Sequence, residues 1–277
     1  NTKQGASPLL SGITIKNNTA TENGGGIQVT TGKYLTIEDC TISDNTAATY
    51  GGGIYAPGKL TLTSGTISNN SATEGGGIYN GGTFEMSAGT ISSNTASGNG
   101  GGVCVHNSSG TSTFIMCGGT ISTNTSTNGS GVAVLNNGIF TMSGTASVAS
   151  DNDVYLMSGR YITVAGSLSA TAPVATVTPE NYAEGTQVLS LATDSSATLA
   201  QEYNKFGVVQ KSDGAEWGIN SEGKLQKQKT LNPSDSADIT DPSIPYIIKG
   251  SASTNNAQID INYTTATTEN STYYITL

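Results

Sequence analysis

Apolar residues over roughly the first 170 positions come in short alternating runs that return every 24 to 30 residues, without the i, i+3, i+4 spacing of an amphipathic helix. Three motifs make up each copy. The first is Ile-x-x-Asn, at Ile15/Asn18, Ile42/Asn45, Ile67/Asn70, Ile91/Asn94 and Ile121/Asn124. A glycine block closed by a β-branched residue follows: Gly24 to Ile27, Gly51 to Ile54, Gly75 to Ile78, Gly100 to Val103, and a decayed copy from Gly129 to Val132. The third motif leads into the next copy and reads Leu35-x-Ile37, Leu60-x-Leu62, Phe84-x-Met86, Phe114-x-Met116, Phe140-x-Met142 and Ile162-x-Val164. Alternation over so few residues predicts three short strands per copy.

A repeat of about 25 residues is too short for a propeller blade and lacks the leucine-asparagine consensus of a leucine-rich repeat. It fits one coil of an all-β, right-handed, single-stranded parallel β-helix with three strands per coil, the hand following from the crossover rule. Coils then stack at the inter-strand distance of about 4.8 Å, so each residue meets its own counterpart above and below. Ile27, Ile54, Ile78, Val103 and Val132 are expected to stack inward, with Gln28, Tyr55, Tyr79, Cys104 and Ala133 facing out. Glycine suits a crowded corner and accepts φ > 0. Asn18, Asn45, Asn70, Asn94 and Asn124 are expected to form a structural ladder at another corner, taking αL geometry and bonding the turn backbone and one another. The longest copy holds Asn107 to Thr113, a loop insertion.

These repeats occupy residues 1–172. Beyond Pro173, alternation at Gln187 to Leu191, Phe206 to Val209 and Trp217 to Ile219 predicts a C-terminal β cap over residues 173–228, continuing or covering the solenoid, with Phe206 and Trp217 as its filling. A cap is required because an open end exposes strand edges and a dry core. Residues 229–244, with Pro233 and Pro242 among small and acidic residues, read as a linker, and residues 245–277 as part of a further β module. The first copy starts part-way through the pattern, so the chain reads as a segment of a longer protein.

Composition narrows the function. The formal charge is −9, the pI is near 4.4 and Arg160 is the single arginine, a surface that repels phosphate backbones and anionic lipid. Nucleic acid is therefore not an expected partner. No apolar run approaches the length of a spanning helix, so membrane insertion is not expected of these residues either. Cys40, Cys104 and Cys117 have no CxxC spacing and only His106 to join them, which argues against zinc. Free, partly buried thiols are expected, with a Cys104–Cys117 bridge as the alternative.

Catalytic groups are sparse. A glycosidase needs two carboxylates across a groove, and an eliminating lyase a base beside a cation. Glu38 and Asp39 are adjacent and would project to opposite faces of a strand; Glu85 is isolated, and Lys59 and Arg160 have no companions. No catalytic residue and no cofactor is assigned. Asp151 and Asp153 are weak candidates for a metal site, and no third ligand accompanies them. Two weak ligand-binding candidates remain. Thr41, Thr66, Thr90 and Thr120 would line up in a hydroxyl column, able to hold ordered water, ice or a glycan. Tyr55 and Tyr79, with Tyr50 nearby, would form a small exposed aromatic patch for a sugar or a protein.

The glycine blocks and Ile-x-x-Asn motifs resemble the GGxI and FxxN repeats of bacterial surface β-helices of the polymorphic outer-membrane protein and autotransporter-passenger type, within the pectin-lyase-like superfamily. The GGGIY form at Gly75 to Tyr79 is similar also to repetitive surface proteins of spirochaetes and gut anaerobes. The resemblance covers about residues 12 to 170 and implies a secreted or cell-surface bacterial protein, often adhesive. The expectation is a non-catalytic extracellular scaffold or adhesin segment whose partner is a glycan or a host surface protein. A carbohydrate-active β-helix is the alternative, and an ice- or glycan-binding Thr/Ser face a third.

Overall fold

The computed structural model describes residues 8–212, 214–231 and 246–248. They fall into two compact units, one running to Val209 with Ile219–Leu225 added, the other formed by Gln210–Gly218 and residues from Gln226 onward.

The first unit is a solenoid of parallel strands arranged in two eight-stranded sheets, one six-stranded sheet and one four-stranded sheet. Pairing joins each motif to its own copy in the next turn: Ile42, Ile67, Ile91 and Ile121 are in register, as are Ile54, Ile78, Val103, Val132 and Val154. All of these side chains are buried. Along the third face Leu60, Phe84, Phe114, Phe140 and Ile162 form another buried column, with ring centroids of the three phenylalanines 4.6 and 4.8 Å apart and their planes nearly parallel. Like residues stack because the turn spacing equals the inter-strand distance, and burying each apolar column drives the stacking.

Three strands per coil were expected, and a fourth, two-residue ladder lies between the asparagine corner and the glycine block: Thr19–Ala20, Thr46–Ala47, Ser71–Ala72 and Thr95–Ala96. Two residues are too few to show a period of two.

The corners correct one expectation. Left-handed backbone does not fall on the ladder asparagines but on the residue before each: Asn17, Asp44, Asn69, Ser93 and Thr123, with φ between 54° and 59°. The sharp bend and the hydrogen-bonding side chain are thus divided between neighbours. Thr123 is β-branched and exposed, and αL geometry costs such a residue about 1–2 kcal/mol. Thr123→Gly relieves that strain but removes the Oγ1 that accepts from Ser93 N at 3.2 Å and donates to Ser122 O at 2.7 Å, so unfolding stability is expected to change by less than about 1 kcal/mol, measured by urea denaturation.

The glycine block has three different physical reasons. Gly75 has φ +64°; a Cβ on Gly76 would meet Thr95 O at 2.4 Å; a Cβ on Gly77 would meet Gly102 O at 2.6 Å and press on the Asn94 amide at 3.0 Å. In the decayed copy Ser130 takes the middle position, and the turn above it carries Asn152 and Asp153 instead of a glycine block.

Beyond residue 172 the solenoid continues: Ala175–Pro179 and Phe206–Val208 extend one eight-stranded sheet and Leu189–Leu191 ends the other. A short helix, Leu199–Glu202, packs against the strands Ile162–Leu168 and Leu189–Leu191. Its Glu202 is buried, accepts from Leu168 N at 2.9 Å and pairs with Lys205 at 2.9 Å, while Lys205 Nζ donates to Leu168 O at 2.7 Å. Phe206 is buried on the last strand of this unit. Trp217 is buried in the second unit, where Lys227 Nζ lies 5.8 Å from its ring centroid. The linker expected over residues 229–244 lies outside the described residues except for the end of the strand Leu225–Leu231, and the module expected over 245–277 lies outside them except for Tyr246–Ile248.

Candidate functional site

The asparagine ladder occupies the corner after the Thr-Ile-Ser strands. Asn45 N and Nδ2 both donate to Asn70 Oδ1 at 3.0 Å, and Asn70 N and Nδ2 donate to Asn94 Oδ1 at 3.0 and 2.9 Å. The second Nδ2 proton reaches the isoleucine carbonyl of the preceding turn, as in Asn70 to Ile42 O at 3.0 Å. Asn18 and Asn124 join the same column, and Asn124 donates in turn to Asn152 Oδ1. Asn152 was not legible as a rung because it follows Val148 by four residues, whereas the other rungs follow their isoleucine by three.

Asp151 and Asp153 flank that last rung. Asp151 Oδ2 accepts from Thr123 N at 3.0 Å, and Asp153 accepts from Ser130 N at 2.7 Å and from Thr178 Oγ1. Both carboxylates thus bind backbone of the turn below. Among the described residues no group of three or more His, Cys, Asp or Glu side chains gathers as metal ligands would.

The outer face of the sheet carrying the Ile-Tyr pairs is the most chemically varied surface. Register places Tyr55, Tyr79, Cys104, Ala133 and Tyr155 in one outward column. An exposed patch was expected here, but Tyr79 is only 7% exposed and Cys104 is fully buried. The reason is geometric: bulky rings on turns about 4.8 Å apart lie over one another and over the smaller Cys104 and Ala133. Tyr79, Cys104, Ala133 and Leu135 form a second apolar cluster outside the solenoid, flanked by Tyr50, Tyr55, Tyr155 and Met157. Ring centroids of Tyr50 and Tyr79 are 4.5 Å apart, those of Tyr55 and Tyr79 5.5 Å.

Polar groups rim this cluster. Tyr79 Oη lies 3.1 Å from His106 Nδ1, and Asn99 Nδ2 donates to Glu74 Oε1 at 3.1 Å. Cys104 Sγ is 3.9 Å from Glu74 Oε2. Burial, reinforced by the Glu74 carboxylate, pushes the Cys104 thiol well above its ordinary value, and burial with the same neighbours raises Tyr79. A nucleophilic cysteine requires the opposite, a stabilised thiolate. All three cysteines are free and Cys117 alone is exposed. Alkylation of the native protein at pH 8 is expected to label Cys117 and spare Cys104, as read by peptide mass spectrometry.

The threonine column forms as expected in register, with Thr41, Thr66, Thr90 and Thr120 directly above one another. Beside it Ser43 is buried, and on the neighbouring face hydroxyls bond along the stack, Thr46 to Ser71 at 3.3 Å and Thr95 to Thr125 at 3.1 Å. The scattered acids are engaged as well. Ser64 donates to Asp39 at 2.6 Å, and Glu85 pairs with Lys59 at 2.7 Å on the adjacent turn, a companion for Lys59 that linear spacing concealed.

No curated protein and no solved structure matches this chain significantly. Residues 4–118 match the family model described as "Right handed beta helix region". That match and the stack of parallel turns together support a right-handed β-helix repeat fold.

Proposed function

We propose that the protein is a non-catalytic extracellular scaffold or adhesin segment of a bacterial surface or secreted protein, offering its lateral face to glycans or to a neighbouring cell. The observation that carries this reading is the engagement of lateral polar groups by the fold itself. Glu85, Asp39, Asp151 and Asp153 each bind a group of an adjacent turn, and the hydroxyl ladders bond along the stack. Acid-base catalysis needs a carboxylate turned toward substrate with its proton tuned near the working pH.

The tyrosine cluster beside Glu74 favours a glycan as the ligand, since an aromatic face with flanking polar groups stacks on a sugar and bonds its hydroxyls. The test is a glycan-array screen of the purified chain with a Tyr55→Ala variant alongside. Tyr55 is half-buried at the edge of the cluster, so its removal leaves the fold intact, whereas Tyr79→Ala would open the cluster itself. Binding weakened about ten-fold or more by Tyr55→Ala, with no shortening of the bound glycan over hours, is the expected result. Cleavage of that glycan would establish the carbohydrate-active reading instead, and no binding to any glycan would leave the scaffold role without a sugar ligand.

A further inference from the structure

The chain holds five Asn-Gly dipeptides, at Asn23, Asn80, Asn99, Asn128 and Asn137. In such a pair the glycine nitrogen can attack the asparagine side chain, since no Cβ on the glycine shields it. A folded chain restrains this reaction by tying that N–H into a hydrogen bond, which must open first. Four of the five are tied. Gly24 N donates to Tyr50 O at 2.9 Å, Gly81 N to Ala56 O at 3.0 Å, Gly100 N to Asn128 O at 2.9 Å and Gly138 N to Leu135 O at 2.9 Å. Gly129 N has no acceptor among the described residues.

The reason lies in the next turn. The first glycine of each earlier block, Gly24, Gly51, Gly75 and Gly100, donates its N–H to the turn above. Val132 follows its ladder asparagine, Asn124, by eight residues, whereas their counterparts Val154 and Asn152 are two apart. The next turn therefore cuts across this corner and leaves the segment before Ser130 uncovered. Contact resumes at Ser130, whose N donates to Asp153 Oδ1 at 2.7 Å. Asn128 is exposed, and its side chain makes one hydrogen bond among the described residues, from Nδ2 to Asn99 Oδ1 at 3.0 Å.

We propose that Asn128 is a site of self-modification, converting spontaneously through a cyclic imide with Gly129 to aspartate or isoaspartate. Gly129 N bonds to Asn128 Cγ and gives up its proton, the Cγ–Nδ2 bond breaks, and Nδ2 leaves as ammonia. Water then opens the imide. Its addition at Cγ restores the chain with aspartate; its addition at the backbone carbonyl carbon leaves Cγ linked to Gly129 N and yields isoaspartate. One water is consumed, one ammonia is released, and nothing is oxidised or reduced. Either product removes the Nδ2 donor and adds a negative charge beside Asn99, which already donates to Glu74 on the rim of the tyrosine cluster. The reaction does not depend on what that cluster binds.

The test holds the native chain at pH 8 in water labelled with oxygen-18 and follows each Asn-Gly peptide over weeks by mass spectrometry, with electron-transfer fragmentation to tell isoaspartate from aspartate. A parallel sample is kept unfolded in guanidinium. Native Asn128 is expected to take up label about ten-fold or more faster than each of the other four, and this lead is expected to vanish on unfolding, where all five glycine nitrogens are released. A native rate at Asn128 no higher than at the other four would overturn the proposal. So would an equal lead in guanidinium, which would trace the reaction to the neighbouring residues and not to the shortened turn.

Discussion

Asn70→Ala is expected to lower unfolding stability by about 2–5 kcal/mol, because several buried polar groups lose their partners at once. Asn70 is 1% exposed and central in the ladder. Its Oδ1 accepts from Asn45 N and Nδ2, and its Nδ2 donates to Ile42 O and Asn94 Oδ1. Alanine strands the Asn45 N–H and withdraws the donor from Ile42 O, each costing about 1–3 kcal/mol when buried. Asn18→Ala is the internal comparison. Asn18 stands exposed on the first turn with no ladder donor below it, so its loss is expected to cost less than about 1 kcal/mol. Guanidinium denaturation followed by both circular dichroism and fluorescence measures the pair, two probes being needed because solenoids can lose turns independently. Equal costs at the two positions would mean that the residue type matters only locally and that the ladder does not bind turn to turn.

Gly76→Ala is expected to cost about 3 kcal/mol or more, through steric conflict with backbone that has nowhere to go. The added Cβ would lie 2.4 Å from Thr95 O, 2.5 Å from Thr95 C and 2.7 Å from Gly101 O. All three atoms belong to the next turn's backbone, which is itself held by the turn above it. Relief requires separating turns, which breaks the inter-turn bonds of Gly76 and Gly77 to Gly100 and Gly101. Gly166→Ala is the control. Its Cβ would meet nothing closer than Ser143 Cβ at 3.6 Å, and with ordinary backbone the change is expected to be neutral or stabilising by a few tenths of a kcal/mol. Thermal unfolding of the two variants decides it: a Gly76→Ala midpoint within a degree or two of wild type would show that the turns can move apart at little cost.

Much of the architecture is legible in the linear sequence, because a stack with identical registers obliges the chain to repeat itself. Ile42, Ile67 and Ile91 must be apolar at the same phase for the same reason, and Gly52, Gly76 and Gly101 must each lack a side chain because backbone of the next turn stands against them. Period and alternation therefore determined the parallel β-helix, the inward columns and the ladder positions. What spans turns without repeating was decided only in three dimensions. The Lys59–Glu85 pair, the Asn99–Glu74–Cys104 contacts and the Tyr79–His106 contact each join unlike residues some 25 to 30 positions apart, and no period marks them. The burial of Tyr79 is likewise a tertiary result: alternation sends it outward, and only the closeness of the Tyr50 and Tyr55 rings, with Cys104 in register on the next turn, turns an outer face into a second apolar cluster. The division of the asparagine corner, αL backbone on Asn69 and hydrogen bonding on Asn70, follows from the path of the chain through the bend, and in sequence the two roles look like one motif.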